Sequence, residues 1–239
     1  DDEENMKNYL SFGGGVNSVA LYLLMQDMGI DFEAVYVDHG CDWPETIEYV
    51  KSFSTRYQLT IIKPNFCGFD NLYEYSMSRR ILPDIIRRWC TDNFKRKPFN
   101  SYVDSPCFVF IGYASDEAKR AKISTKGGIE YRWPLIEEGI DREGCKKIIR
   151  DHGEEVPIKS GCFLCPFQRV GQFRLLRRRH PDLFCKIEKL ERAKNERADE
   201  EGLSHRYLLR KPIGNLIQDK QRALPGMEDM EYPPCECGL

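Results

Sequence analysis

The chain alternates between two hydrophobic periods. Residues 7–12, Lys-Asn-Tyr-Leu-Ser-Phe, read as a short strand running into a turn of three glycines, Gly13, Gly14 and Gly15. A helical apolar stripe follows over residues 18–28 and stops at Gly29. The β-branched and aromatic run from Phe32 to Val37 predicts a second strand. Pro44, with Glu45 in the first turn, predicts a helix start, because proline suits the first helical position and a carboxylate suits the helix dipole. Leu59 to Lys63 predicts a third strand, Cys107 to Gly112 a buried one, and Tyr131 to Ile136 a weaker last one. Asp141 to Asp151 reads as a helix with Asp141 as N-cap, and residues 170–201 as helices broken near Pro181. Residues 68–100 are polar, basic and aromatic with weak periodicity, and are assigned to the face where a ligand binds. From Lys211 onward, with Pro212, Pro225, Pro233 and Pro234, the chain reads as irregular. Strands alternating with helices imply parallel strands joined by right-handed crossovers, an α/β architecture with a helical, irregular C-terminal extension.

Composition narrows the class. Of 239 residues, 41% are hydrophobic and 31% charged, which suits a globular rather than a disordered chain. No apolar run approaches the roughly 20 residues that span a bilayer, so no membrane partner is expected. The acidic stretch Asp1 to Met6 lacks the basic flank and apolar segment of a signal peptide, and the expected location is cytoplasmic. A net charge of −2 gives no global basic field for nucleic acid. Positive charge is local, as at Arg87-Arg88, Lys95-Arg96-Lys97 and Arg177-Arg178-Arg179. Each cluster taken singly is a solvated helix face; several converging on one cleft would form an anion site. Ten cysteines in a chain without an export signal favour metal or redox chemistry over a disulfide framework. Cys67, Cys107 and Cys145 read as small buried hydrophobes.

Four segments carry candidate chemistry. Ser11-Phe12-Gly13-Gly14-Gly15-Val16-Asn17-Ser18 lies between a strand and a helix, where glycines bring backbone N–H groups against phosphate and the helix N-terminus adds its dipole. Asp38 to Thr46, Asp-His-Gly-Cys-Asp-Trp-Pro-Glu-Thr, ends the next strand and borders the same crevice. Gly161-Cys162-Phe163-Leu164-Cys165-Pro166, with Cys90 upstream, offers soft thiolates for zinc or an iron–sulfur cluster. The last is Cys235-Glu236-Cys237-Gly238-Leu239.

In order and spacing these segments resemble the phosphoadenosine phosphosulfate (PAPS) reductase family and the related PP-loop ATP pyrophosphatases, over most of residues 9–170. The glycine run resembles the family's pyrophosphate loop. The segment after Val37 resembles the reductases' Asp-Thr-Gly stretch leading into Pro-Glu-Thr. Ile111-Gly112, followed by Asp116, Glu117 and Arg120, sits where the family has a post-strand Glu and Arg. Cys90 before Lys95 and Pro98, then Gly161-Cys162 and Cys165, resembles the cysteine layout of cluster-bearing adenylylsulfate reductases, with Trp89 in place of one ligand. The Cys237 region resembles the Glu-Cys-Gly tail that carries the reductases' nucleophile.

The resemblance implies a Rossmann-like, three-layer parallel sheet of the adenine nucleotide alpha hydrolase type over residues 7–170, with residues 171–239 as a helical extension and cysteine-bearing tail. It implies that Ser11, Gly13, Gly14, Gly15, Asn17 and Ser18 hold phosphates, that Asp38 sits beside the nucleotide, and that Arg120 neutralises phosphate or sulfate. It also implies Cys90, Cys162 and Cys165 as ligands of an iron–sulfur cluster, with zinc as the other candidate, and Cys237 as the catalytic thiol. The expected substrate is an adenylylated sulfate and the expected partner a thioredoxin-like thiol donor. Two departures count against standard activities of the family, the first against magnesium-assisted ATP cleavage and the second against recognition of a 3′-phosphate. Val16 and Asn17 stand where ATP pyrophosphatases carry Lys and Asp, and the segment from Gly112 to Glu117 lacks the reductases' paired arginines. An ATP-dependent sulfur transferase, like those that thiolate DNA and so with a nucleic-acid partner, is the first alternative. A non-catalytic nucleotide-binding module is the second.

Overall fold

The computed structural model describes residues 6–121, 127–158 and 160–218. Five strands, β1 (Lys7–Ser11), β2 (Glu33–Val37), β3 (Thr60–Ile62), β4 (Cys107–Ile111) and β5 (Ile129–Arg132), form one sheet in the order β3-β2-β1-β4-β5. Every neighbouring pair is parallel, and Tyr9 of β1 is in register with Glu33 on one side and Val109 on the other. The chain winds outward from β1 in both directions, so the crevice between the carboxyl ends of β1 and β4 is the topological switch point.

Strand alternation decides which face each residue buries. Leu10, Tyr36 and Phe110 pack on one face, against α1 (Val16–Asp27), α2 (Pro44–Ser54) and α7 (Arg142–Asp151). Tyr9, Val35, Val37, Val109 and Ile111 pack on the other, against Phe99 of α5 (Lys97–Tyr102) and the adjoining Val103. This is the three-layer α/β sandwich that the family resemblance implies. Helix α1 is buried at every residue from Val16 to Leu23, because it lies under both α7 and the sheet.

Several segments differ from the sequence expectation. The predicted strand over 131–136 divides into β5 and a short helix, α6 (Pro134–Glu137). Pro134 has no N–H for a ladder and suits the first helical position. The weakly periodic stretch 68–100 contains α3 (Leu72–Arg79), capped by the Asn71 side chain, then α4 (Trp89–Thr91), a π-helical turn over Asp92–Arg96, and α5. Cys67 is exposed, whereas Cys107 and Cys145 are buried as expected.

The C-terminal helices α8 (Val170–Arg179) and α9 (Pro181–Glu200) break at Pro181 as expected. They build a third core in which Phe173, Leu176, Phe184, Ile187 and Leu190 pack with Trp43, Leu72 and Phe94. A further helix, α10 (Ile213–Gln218), forms where the prolines suggested irregular chain, because Ile213 is fully buried in that core. Glu191 fastens this region. Its carboxylate is buried on α9 and accepts the Leu208 N–H at Oε1 and the Ile213 N–H at Oε2, each at 2.9 Å. Burial pushes the Glu191 carboxyl above its ordinary range, an expense the two backbone bonds offset in part. Glu191→Ala strands two buried donors, at about 1–3 kcal/mol each. We expect chemical denaturation to show about 3 kcal/mol lost, with faster amide exchange over residues 203–216.

Candidate functional site

The glycine turn, the segment after β2 and the segment after β4 meet at the switch point. They line an open cleft of about 930 Å³ counted with the solvent at its mouth. Ser11, Gly13, Gly15, Asn17 and Ser18 line it, joined by Tyr36, Asp42, Lys95, Glu117, Arg120, Arg142 and Ser160. The first turn of α1 faces this space, and its N–H groups lack intrahelical partners by helix geometry. Ser18 closes the turn itself: its hydroxyl oxygen accepts the Gly15 N–H at 3.2 Å and its proton goes to the Gly15 carbonyl at 3.0 Å. Gly112 lets β4 approach α1 closely, since a Cβ there would lie 2.9 Å from the backbone of Asn17 and Ser18.

Gly14 is part of the turn but not of the cleft wall. Its φ is +67°, and an added Cβ would meet Val50 Cγ2 at 2.7 Å and Thr46 Cγ2 at 3.2 Å on α2. Gly13 is the opposite case, because nothing lies nearer to its added Cβ than Ser18 Oγ at 4.0 Å.

The charged groups form a short chain across the mouth. Asn17 Nδ2 donates to Glu117 Oε2 at 2.7 Å, while Asn17 Oδ1 is buried without a partner. Arg120 pairs with the other Glu117 oxygen and lies over the Tyr113 ring at 4.4 Å. Arg142 arrives from the start of α7, one residue past the N-cap Asp141. Asp38 is placed otherwise. Its Oδ1 accepts the Gly40 N–H at 3.0 Å in the turn after β2, and the acid lining the cleft from this segment is Asp42. The Tyr36 hydroxyl donates to Asp42 Oδ2 at 2.6 Å, and burial foremost raises the Tyr36 phenol. Burial alone would also raise the Asp42 carboxyl. The neighbouring His39 and Lys95, together with the Tyr36 hydrogen bond, outweigh it and hold Asp42 below the carboxylate range.

Behind Asp42 and Lys95 lies a small apolar cavity. Cys90, Cys162 and Cys165 all line it, with His39, Leu72, Pro83, Thr91, Lys95 and Leu164. Lys95, on the π-helical turn, thus borders both spaces. Burial raises the Cys90 thiol and pushes Cys165 up to about 12, and Cys162 lies well above its ordinary range. Burial by itself would lower the Lys95 ammonium, but Asp42 and the three thiols hold it above its ordinary value. Gln168 steadies the cysteine loop: Nε2 donates to the carbonyls of Phe163 at 3.0 Å and Cys165 at 3.4 Å, and Oε1 accepts the Trp43 indole N–H at 3.1 Å. His39, Cys41 and Cys162 bring ligand atoms within 4.8 Å of one another, all buried, so this group could bind a metal ion. Cys237, the expected catalytic thiol, lies outside the described residues.

Sequence reasoning passed over Asp42, Arg142 and Ser160, and named Lys95 only as a marker of the resemblance. Asp42 was legible as a second acid four residues past Asp38. Arg142 and Ser160 carried no local signal, because the crossover after β5 brings them to the cleft.

Fold and site together define a parallel α/β nucleotide-binding class of protein. Residues 7–124 match the family model for the phosphoadenosine phosphosulfate reductase domain. Over these residues, about half of its length, the chain is similar to that family. Two uncharacterized proteins of Methanocaldococcus jannaschii are similar to it. One is 26% identical over 203 residues, covering 75% of this chain and 47% of the relative; the other is 24% identical over 217 residues, covering 83% and 44%. An uncharacterized nin region protein of Escherichia phage lambda is 29% identical over 157 residues, 53% of each chain. The chain spans about half the length of the curated relatives it matches. Among solved structures, a phosphate complex of phosphoadenylyl-sulfate (PAPS) reductase from Candida auris aligns with a TM-score of 0.49 at 17% identity, over 65% of this chain and 81% of that one. Among the described residues, no helix is long and apolar enough to cross a membrane.

Proposed function

We propose that this chain is a thiol-dependent reductase of an adenylylated sulfate, either adenylylsulfate or PAPS. The observation that carries the reading is the shared wall. A glycine-lined cleft and a cavity with three cysteines meet at Lys95, so an anion in the cleft lies beside the thiol site. In this reading the backbone at Gly13 and Asn17 and the side chain of Ser11 hold phosphate, on a turn that Gly15 and Ser18 close through their mutual hydrogen bonds. Arg120 and Arg142 meet the remaining negative charge. Arg120 already shares Glu117, which orients the guanidinium before a ligand arrives.

The chemistry follows from the thiol. The Cys237 thiolate attacks the sulfate sulfur, an S–S bond forms, the S–O bond to the nucleotide breaks, and the adenylate leaves with the electron pair. A second thiol, from a thioredoxin-like donor, then attacks the Cys237 sulfur. Sulfite departs and a disulfide remains, so two thiols supply the two electrons. The cysteines at 90, 162 and 165 suit an iron–sulfur centre, since they are soft donors lining one apolar cavity. When bound, such a centre ties the α4 segment to the 162–165 loop.

The test is anaerobic incubation with adenylylsulfate, PAPS or ATP in the presence of reduced thioredoxin. We expect sulfite release from a sulfonucleotide, and an intact-mass adduct of one sulfonate that is lost in Cys237→Ser. Pyrophosphate release from ATP without any adduct would instead establish the sulfur-transferase reading, whose motivation is the absent arginine pair.

A further inference from the structure

We infer that Cys41 is the fourth thiolate of the metal centre and completes the set begun by Cys90, Cys162 and Cys165. The inference rests on the metal-bearing reading above and adds a ligand from a different segment of the chain.

Backbone pairing places Cys41. The segment after β2 runs antiparallel to the cysteine loop: Asp42 and Cys162 form a β-bridge, the Phe163 N–H donates to the Cys41 carbonyl at 2.8 Å, and the Trp43 N–H donates to the Gly161 carbonyl at 3.1 Å. This pairing sets the Cys41 sulfur within 4.8 Å of the Cys162 sulfur. Two thiolates on one tetrahedral ion stand about 3.8 Å apart, as metal–sulfur bonds of about 2.3 Å require. A small side-chain rotation closes or opens that gap. Cys41 is fully buried, and its sulfur makes a long contact, 3.9 Å, to Asn71 Oδ1. The Leu164 N–H points at Cys162 Sγ from 3.3 Å, an arrangement that stabilises a charged, metal-bound sulfur.

The competing donor in this group is His39, one of whose ring nitrogens is taken by the backbone. Nδ1 accepts the Cys41 N–H at 3.2 Å. Nε2 lies 3.3 Å from Asp42 Oδ1, close enough for an ion pair though not aligned as a hydrogen bond. Through Nδ1, His39 holds the Cys41 backbone and leaves the Cys41 sulfur beside Cys162. The four thiols come from the β2 segment, α4 and the cysteine loop, so the metal would fasten the cleft's acidic edge, at Asp42, to its far wall.

The test uses the full chain, purified without oxygen and reconstituted with iron and sulfide, with zinc measured in parallel. Wild type, Cys41→Ala, Cys41→Ser, Cys162→Ala and Cys145→Ala are compared for iron, sulfide and zinc per chain, visible absorption and far-ultraviolet circular dichroism. Cys145 is equally buried but lies in another core, so its variant controls for loss of a buried thiol. We expect both Cys41 variants and Cys162→Ala to hold at least fivefold less metal than wild type, while Cys145→Ala stays loaded. If Cys162→Ala loses metal and a folded Cys41 variant keeps it, the centre has three thiolates and the inference is wrong. If neither Cys41 variant folds, alkylation mass spectrometry of denatured wild type decides: Cys41 freed by chelator together with Cys162 supports the inference, and Cys41 modified equally with and without chelator refutes it. If wild type binds neither iron nor zinc, the metal-bearing reading itself fails. A Cys41–Cys162 disulfide, seen as a loss of two mass units in that metal-free protein, would assign the pair to redox chemistry instead.

Discussion

A Gly13→Val protein will fold normally and lose at least a hundredfold in nucleotide affinity. The added Cβ has open space around it, 4.0 Å from its nearest neighbour, so the turn accepts a side chain without strain. The two methyl groups then extend toward the cleft that Gly13 lines, where a phosphate oxygen must approach the backbone. A hundredfold corresponds to about 2.7 kcal/mol, the loss expected when charge-assisted bonds to phosphate are displaced. Isothermal titration with adenylylsulfate, PAPS and ATP reads the affinity, and thermal melting reads the fold. Unchanged affinity for all three nucleotides in a folded variant would show that the cleft does not hold phosphate at this turn.

The same substitution one residue later has a different outcome. Gly14→Val will destabilise the fold by about 3 kcal/mol or more, the left-handed backbone contributing about 1–3 kcal/mol and overpacking a similar amount. Its φ of +67° disfavours any β-branched residue, and the Cβ would strike Val50 on α2. Against a typical total stability of about 5–15 kcal/mol, that is a large share. Urea denaturation should show the lowered midpoint even without nucleotide. A Gly14→Val protein as stable as wild type would mean that α2 does not press on this turn as described. The pair of variants separates two duties within three glycines, since Gly13 makes room for ligand and Gly14 makes room for α2.

Much of this protein is legible in order along the chain. Strand–glycine turn–helix at residues 7–28, the β-branched run to Val37 and the proline-led helix at Pro44 are local patterns, each set by backbone preference and side-chain period. They are enough to require parallel strands, and the sheet has them. The glycine turn and the Cys162–Cys165 loop are likewise visible, because their residues are neighbours in sequence. Tertiary structure decided what proximity in space alone can decide. It put Asp42 rather than Asp38 on the cleft wall, since the Asp38 carboxylate is taken up by the Gly40 N–H. It brought Arg142 and Ser160 to the same cleft by way of the crossover after β5, and set Lys95 between the cleft and the thiols. It paired the Cys41 strand with the Cys162 loop, two segments more than a hundred residues apart whose pairing is stabilised by backbone hydrogen bonds that no residue type announces. Local pattern specifies the elements; long-range backbone pairing and the burial of each face select which side chains meet.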